Sequence, residues 1–467
     1  MSQFVAVIDI GKTNKKVALY DRQLHQIAFR QQVFAASAGA DGILVEPVAA
    51  MWEWFGRTLG ELYREQPFQA ISVTTHGATI ACLDTEGTLA LPVVAYDNDL
   101  GEAGQAELDR AFDELVGDRT ALQAETGTCD MPLLVNPAKA LQQYRRWFGD
   151  ATEHIARILN YPQYWGYRLT GVQASEPTYT FNHSYLHDIR RQVPSSAAHA
   201  LGVAEALDSS FLRPWDRLGT LLPELQQAWD LPALPVTAGI HDSNAALLPY
   251  LVLFEGRDFV VNSTGTWCVA MHGVDQVRYA DDELGLKIIF NIDALGGYRK
   301  VSFLMGGQDY GLYHELIGGD HVAFDAARVD QALAEPGQAI VPGAFPSQFQ
   351  EVQGGAQDGS DWYSVADLQA GKRPAWFADQ ERAHDLLNVS LALQTLVALE
   401  HTDIGPATTV FVEGGFRQNS TYLAVLAALL GPGRLRCTSL EQATATGTAL
   451  LGHALLADCD PQAFAGS

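Results

Sequence analysis

A strand, a small polar turn with one glycine and a second strand occur twice in this chain, near its start and just past its middle. The first copy is an apolar run over residues 4–10, the turn Gly11-Lys12-Thr13-Asn14-Lys15-Lys16, and a second apolar run over 17–20. The second copy is 259–262, the turn Ser263-Thr264-Gly265-Thr266, and 267–271. β-Branched runs joined by short polar turns fold as hairpins. A chain of 467 residues exceeds one ordinary domain, so the recurrence implies two related halves that divide near residue 245.

The remainder alternates helical and strand patterns, which makes the class α/β. Met51, Trp52, Phe55, Leu59 and Leu62 recur at helical spacing and predict a helix over 48–64. A strand over 70–75 follows, ending in Thr75-His76-Gly77. Residues 101–169 read as mainly helical and close at Tyr167-Arg168-Leu169-Thr170-Gly171, with glycine where a helix C-cap belongs. A short strand over 235–240 runs straight into His241-Asp242. In the second half an amphipathic helix is predicted over 382–399, then a strand over 409–412 ending at Glu413-Gly414-Gly415-Phe416. Helices over 419–430 and from about Ala443 complete it, the last containing Gly447-Thr448-Ala449-Leu450. The Gly/Gln/Asp-rich stretch 354–360 reads as an exposed loop.

The net charge of −25 repels phosphate backbones and anionic lipid, so neither nucleic acid nor a membrane surface is an expected partner. A small anion is still acceptable, because a few N–H groups or lysines hold phosphate locally. Cys82, Cys129, Cys268, Cys437 and Cys459 form no C-x-x-C pair and read as buried reduced thiols rather than a disulfide or zinc framework. The start of the chain lacks a leader pattern, and no window offers the roughly 18 apolar residues of a membrane span. The expected location is the cytoplasm.

Several residue groups carry chemistry. Asp9 at a strand end, beside a turn rich in N–H, hydroxyl and ammonium donors, suits Mg-phosphate, although an ordinary polar hairpin reads the same way. The turn Ser263–Thr266 is a second such donor set, or equally a plain turn. Gly414-Gly415, between strand and helix, would let a flat ring such as adenine approach, or form a tight turn. Asp242 is placed as a general base, or as a helix N-cap. His76 and His183 offer imidazole donors and acceptors to sugar hydroxyls, and Tyr96-Asp97 could line the same site. No dinucleotide fingerprint or P-loop is present, and His241-Asp242 lacks the further ligands of a metal-dependent phosphohydrolase.

In order along the chain, these segments resemble the FGGY family of carbohydrate kinases, within the actin/hexokinase/Hsp70-like superfamily. The resemblance runs from Phe4 to about Leu456 and rests on the Asp9–Lys16 turn, Thr75-His76-Gly77, Tyr96-Asp97 and Tyr167–Gly171. It continues through Gly239-Ile240-His241-Asp242, Ser263–Trp267, and Gly414-Gly415 with Gln418-Asn419. It implies two ribonuclease-H-like domains flanking a deep cleft, over residues 1–245 for sugar and 246–467 for ATP. By the same resemblance Asp242 is the catalytic base and Asp9 holds Mg2+ through water. Gly11, Lys12, Thr13, Asn14, Thr264, Gly265 and Thr266 would handle phosphates, and Gly414, Gly415 and Asn419 the adenosine. His76 with Gly77, Asp97 and His183 would contact the sugar. Lys12 and Asn14 stand where the family usually has small hydroxyl residues. The His-Asp pair and Gln418-Asn419 look more like rhamnulose and fuculose kinases than xylulose kinases. The implied substrate is therefore a 6-deoxyketose phosphorylated at its C1 hydroxyl, with another ketose or polyol, or an ATPase without a sugar, as alternatives. A monomer or homodimer is expected.

Overall fold

The computed structural model describes residues 3–39, 41–319, 322–335, 337–344, 353–438 and 442–465. Strands Phe4–Ile10, Asn14–Asp21 and Gln26–Val33 form an antiparallel meander. Ala70–Thr75 lies parallel to the first of these, and Pro235–Thr237 parallel to Ala70–Thr75. The second half repeats this plan. Phe259–Thr264, Cys268–Val274 and Tyr298–Leu304 form the meander, and Thr409–Gly414 and Leu435–Cys437 are the parallel neighbours. Arg217–Thr220 and Ile288–Ile292 each extend one sheet at an edge. This is the expected pair of ribonuclease-H-like α/β units.

Local differences from the sequence reading have physical causes. The first turn is shorter than expected, because Asn14, Lys15 and Lys16 already pair with the meander's third strand. The strand expected over 235–240 breaks into Pro235–Thr237 and Ile240–His241 at Gly239, whose φ is 90°. Within the mainly helical section, Arg157–Asn160 is a strand paired with Ile80–Leu83. The expected loop 354–360 is corrected: Gly355–Asp358 is the middle strand of a three-stranded sheet with Gln338–Val341 and Asp361–Ser364. Gly355 there packs on Trp362, a close approach that a side chain would block. Two cysteines are also corrected, since Cys437 is exposed and Cys459 only partly covered, while Cys82, Cys129 and Cys268 are buried.

Two helices join the halves. Asp242–Leu253 contains residue 245, and it packs against the C-terminal helix Ala443–Ala457. That last helix also lies on the first sheet, with Gly452 against Val5 and Ser72. One apolar core therefore takes Ile240, Leu247 and Leu248 from the first helix and its approach, Leu450 and Ala454 from the last, and Val261, Met271 and Phe411 from the second sheet. Among the described residues no helix is long and apolar enough to cross a membrane.

Candidate active site

Strand register places the chemistry. Ile10 lies beside Thr75, and Thr75 beside His241, so three parallel-running strands end in line. The chain leaving each end carries Gly11, His76-Gly77 and Asp242 onto one edge of the sheet, the usual ligand-binding edge of α/β folds. In the second half, Thr264 sits opposite Gly414 at the corresponding edge.

Asp242 is the first residue of its helix, and the N-cap is His241, so Asp242 does not fill the capping role that its position in the sequence also allowed. The His241 Nδ1 accepts from the Ser243 N–H at 3.1 Å. Asp242 Oδ1 accepts from the same N–H at 2.6 Å. Burial raises the Asp242 pKa, and His76 and the Ser243 hydrogen bonds oppose the rise. Asp9 is pushed up to about 6 by burial and then by the Asp242 charge, with Lys16 drawing it down. Two carboxylates within range of each other favour a shared divalent cation, so this end of the site suits Mg2+ chemically.

That crowding has a stability consequence. Folded Asp9 keeps its proton up to about pH 6, whereas the unfolded carboxyl loses it near 3.8. Stability therefore falls as pH rises through that window. Asp9→Asn is expected to be more stable than the native chain by about 1–3 kcal/mol at pH 7.5. The gain should vanish near pH 4, as urea unfolding at both pH values will test. A gain that is equal at both would show that ionisation is not its cause.

Three imidazoles gather around Gly77. A Cβ at Gly77 would lie 2.5 Å from both His183 Nε2 and His241 Nε2, so only glycine fits there. Burial holds His183 and His241 down to about 3, so both rings are neutral at physiological pH, and it lowers His76 as well. Each neutral ring offers one donor and one acceptor. His76 Nδ1 contacts the Gly77 carbonyl at 2.9 Å, while its buried Nε2 has no hydrogen-bond partner among the described residues. Tyr96 and Tyr161 flank the His76 ring at 5.6 and 5.3 Å.

Sequence reasoning missed the support beneath this cluster. Buried Glu176 accepts from Thr178 N, Thr178 Oγ1 and Tyr179 N, each at 2.8 Å. Thr178 Oγ1 in turn accepts from His241 N at 3.1 Å, and Tyr179 Oη bonds both backbone groups of Thr79. The carboxylate that braces the site is thus a helix cap, indistinguishable in sequence from any Glu before Pro-Thr. Glu46 and Lys15 were also missed; both side chains are wholly buried, 3.8 Å apart.

The Asp9 turn divides its side chains. Thr13 and Asn14 are exposed, with Asn14 Oδ1 accepting from Gln31. Lys12, expected at phosphate, directs its ammonium to Glu46 at 2.9 Å and Asp97 at 2.7 Å. Lys16 reaches Gln442 at the head of the C-terminal helix.

The second half holds a separate cleft of about 790 Å³, lined by Thr264, Gly265, Thr266, Gly415 and Asn419 with Gln308, Tyr310, His384 and Asn388. Gly414 adopts φ 77°, and a Cβ there would overlap the Thr264 carbonyl. That close approach needs glycine on both counts. The Thr264 hydroxyl donates to the Glu413 carbonyl and accepts from Phe416 N at 3.1 Å, so it ties the turn together. Asn419 caps the following helix through Tyr422 N and bonds Asn388 at 2.7 Å. Asn388, from a helix distant in sequence, carries no signal of its own there.

Comparisons with known proteins cover both halves. Residues 4–249 match the N-terminal domain of the FGGY family of carbohydrate kinases, and 256–462 match the carbohydrate kinase FGGY C-terminal domain. A rhamnulokinase of Bacteroides thetaiotaomicron is 28% identical over 206 residues, 44% of this chain and 41% of that protein. An L-fuculokinase of Salmonella typhi is 26% identical over 288 residues, 58% of this chain and 57% of that protein. The chain thus spans roughly half the length of these curated relatives. The solved structure of a carbohydrate kinase from Novosphingobium aromaticivorans superposes with a TM-score of 0.75 at 26% identity, covering 99% of this chain and 92% of that one. A ligand-bound xylulose kinase from Lactobacillus acidophilus gives 0.79 at 12% identity, covering 99% and 92%, a likeness of fold alone.

Proposed function

The chain belongs to the FGGY family of carbohydrate kinases, and on that basis we propose that it phosphorylates a small neutral sugar with Mg-ATP. The preferred acceptor is a 6-deoxyketose such as L-rhamnulose or L-fuculose, at C1. The observation that carries this reading is Asp242, a carboxylate at a helix start, beside the His241 ring and within electrostatic range of His76 and Asp9. The similarity to a rhamnulokinase and an L-fuculokinase supports the sugar class.

In this reading the first half, 1–245, takes the sugar and the second, 246–467, the nucleotide. His76, Gly77, Asp97 and His183 bound the acceptor pocket. Asp242 removes the proton from the attacking hydroxyl, a contribution typically of about 10²–10⁴-fold. Gly11, Thr13, Asn14 and Thr264–Thr266 supply backbone and hydroxyl donors toward the phosphates, and Gly415 and Asn419 border the adenosine cleft. Asp9 would hold Mg2+ through water, and the cation supplies charge neutralisation at the phosphates. Phosphoryl transfer asks the protein for alignment and charge balance rather than covalent help.

ADP release from Mg-ATP tests the proposal, measured with L-rhamnulose, L-fuculose, L- and D-xylulose, L- and D-ribulose, glycerol and no sugar. Strong stimulation by one 6-deoxyketose is expected. Equal ADP with and without sugar would replace the kinase by an ATPase, and stimulation by glycerol or a pentulose alone would move the substrate class.

A further inference from the structure

Lys12 turns toward Glu46, Asp97 and Tyr96. Its ammonium bridges Glu46 Oε1 at 2.9 Å and Asp97 Oδ1 at 2.7 Å, and lies 4.8 Å from the centre of the Tyr96 ring. Tyr96 packs on His76, whose buried Nε2 lacks a partner among the described residues. One end of the bridge is fixed, since Glu46 is fully buried and its second oxygen faces Lys15, which also donates to the Lys12 carbonyl at 2.7 Å. The other end is open, with the Asp97 side chain 42% exposed.

We infer that the Lys12–Asp97 pair is a specificity device that reads two neighbouring hydroxyls of a neutral acceptor. This rests on the kinase reading above. An ammonium has three N–H donors, and the two carboxylates take two. The third, with the second oxygen of Asp97, presents one donor and one acceptor side by side, the complement of a vicinal diol. The charge balance disfavours an acidic acceptor. Lys12 and Lys15 are matched one for one by Glu46 and Asp97, so the group offers no surplus cation to a sugar acid or sugar phosphate.

The test uses the full chain and whichever panel sugar stimulates it most, with D-gluconate as the anionic probe. Lys12→Met keeps the stem against Tyr96 and removes the charge. KM for the sugar should rise about 10- to 100-fold, the range of a lost charged hydrogen bond. KM for ATP should stay within twofold. Asp97→Asn, at an exposed position, should raise the same KM. The double variant should be little worse than Lys12→Met, because the two side chains act as one unit. A rise in KM for ATP with the sugar value unchanged returns Lys12 to the phosphate and overturns the inference. So do additive effects, or D-gluconate turning over as fast as the neutral sugar. Should Lys12→Met unfold because Glu46 is left underpaired, Lys12→Met with Glu46→Gln restores the balance and must show the same KM split. No sugar-stimulated turnover by the native chain would remove the kinase reading and this inference together. An active native chain with an unmoved KM in every variant removes this inference alone.

Discussion

Asp242→Asn is expected to lower kcat by about 10²–10⁴-fold while KM for sugar and for ATP change only a few-fold. Asparagine matches aspartate in shape and retains the oxygen that accepts the Ser243 N–H. The helix start is therefore preserved, and only the ability to take a proton is lost. The pH profile supplies a second reading of the same event. A base works ionised, and burial raises the Asp242 pKa against the opposing pull of His76 and Ser243. Turnover of the native chain should fall on the acid side, starting above the ordinary aspartate range, and in the variant any acid limb that persists is that of Asp9. Steady-state rates from pH 4.5 to 8.5 check both points. Undiminished turnover in the variant would remove Asp242 from the role.

Gly447→Ala should damage both stability and rate, although it lies in the C-terminal helix and carries no chemistry. A Cβ there would overlap the backbone carbonyl of Ala245 and press on Pro249 at 3.3 Å. Backbone atoms cannot rotate aside, so the two helices must separate. Alanine is intrinsically the better helix former by about 1 kcal/mol, yet overpacking of this kind costs about 1–3 kcal/mol or more. Net destabilisation is expected, read as a lower urea midpoint with an unchanged slope. The helix pushed away begins at Asp242. A displacement of about 1 Å at a reacting group can cost about 100-fold in rate, so kcat should fall well beyond what partial unfolding explains. A variant as stable and as fast as the native chain would show that this helix contact neither limits the fold nor sets the base.

Much of this was legible in the chain itself. The twin hairpins announced two like halves, because alternation and turn chemistry are local properties. The helix end at Gly171 was equally readable, since its left-handed residue closes on the Tyr167 carbonyl as the glycine predicted. Asp242 could be placed at a strand-to-helix passage for the same reason. Where local preference and tertiary need diverged, sequence reasoning failed. Gly355–Asp358 lacks strand propensity, yet both of its neighbours supply ladder partners.

The site divides along the same line. The sequence by itself determined which residues stand at the ends of the strands, since strand and turn patterns fix where the chain emerges. Only the tertiary structure decided what those residues face. Lys12 turns from the Asp9–Lys16 turn to Glu46 and Asp97; Glu176 braces His241 through Thr178; and Asn388 meets Asn419. Each of these pairings joins segments far apart in the chain. Their energy comes from satisfying polar groups away from water, and no local pattern of residues can register which partner the fold will bring.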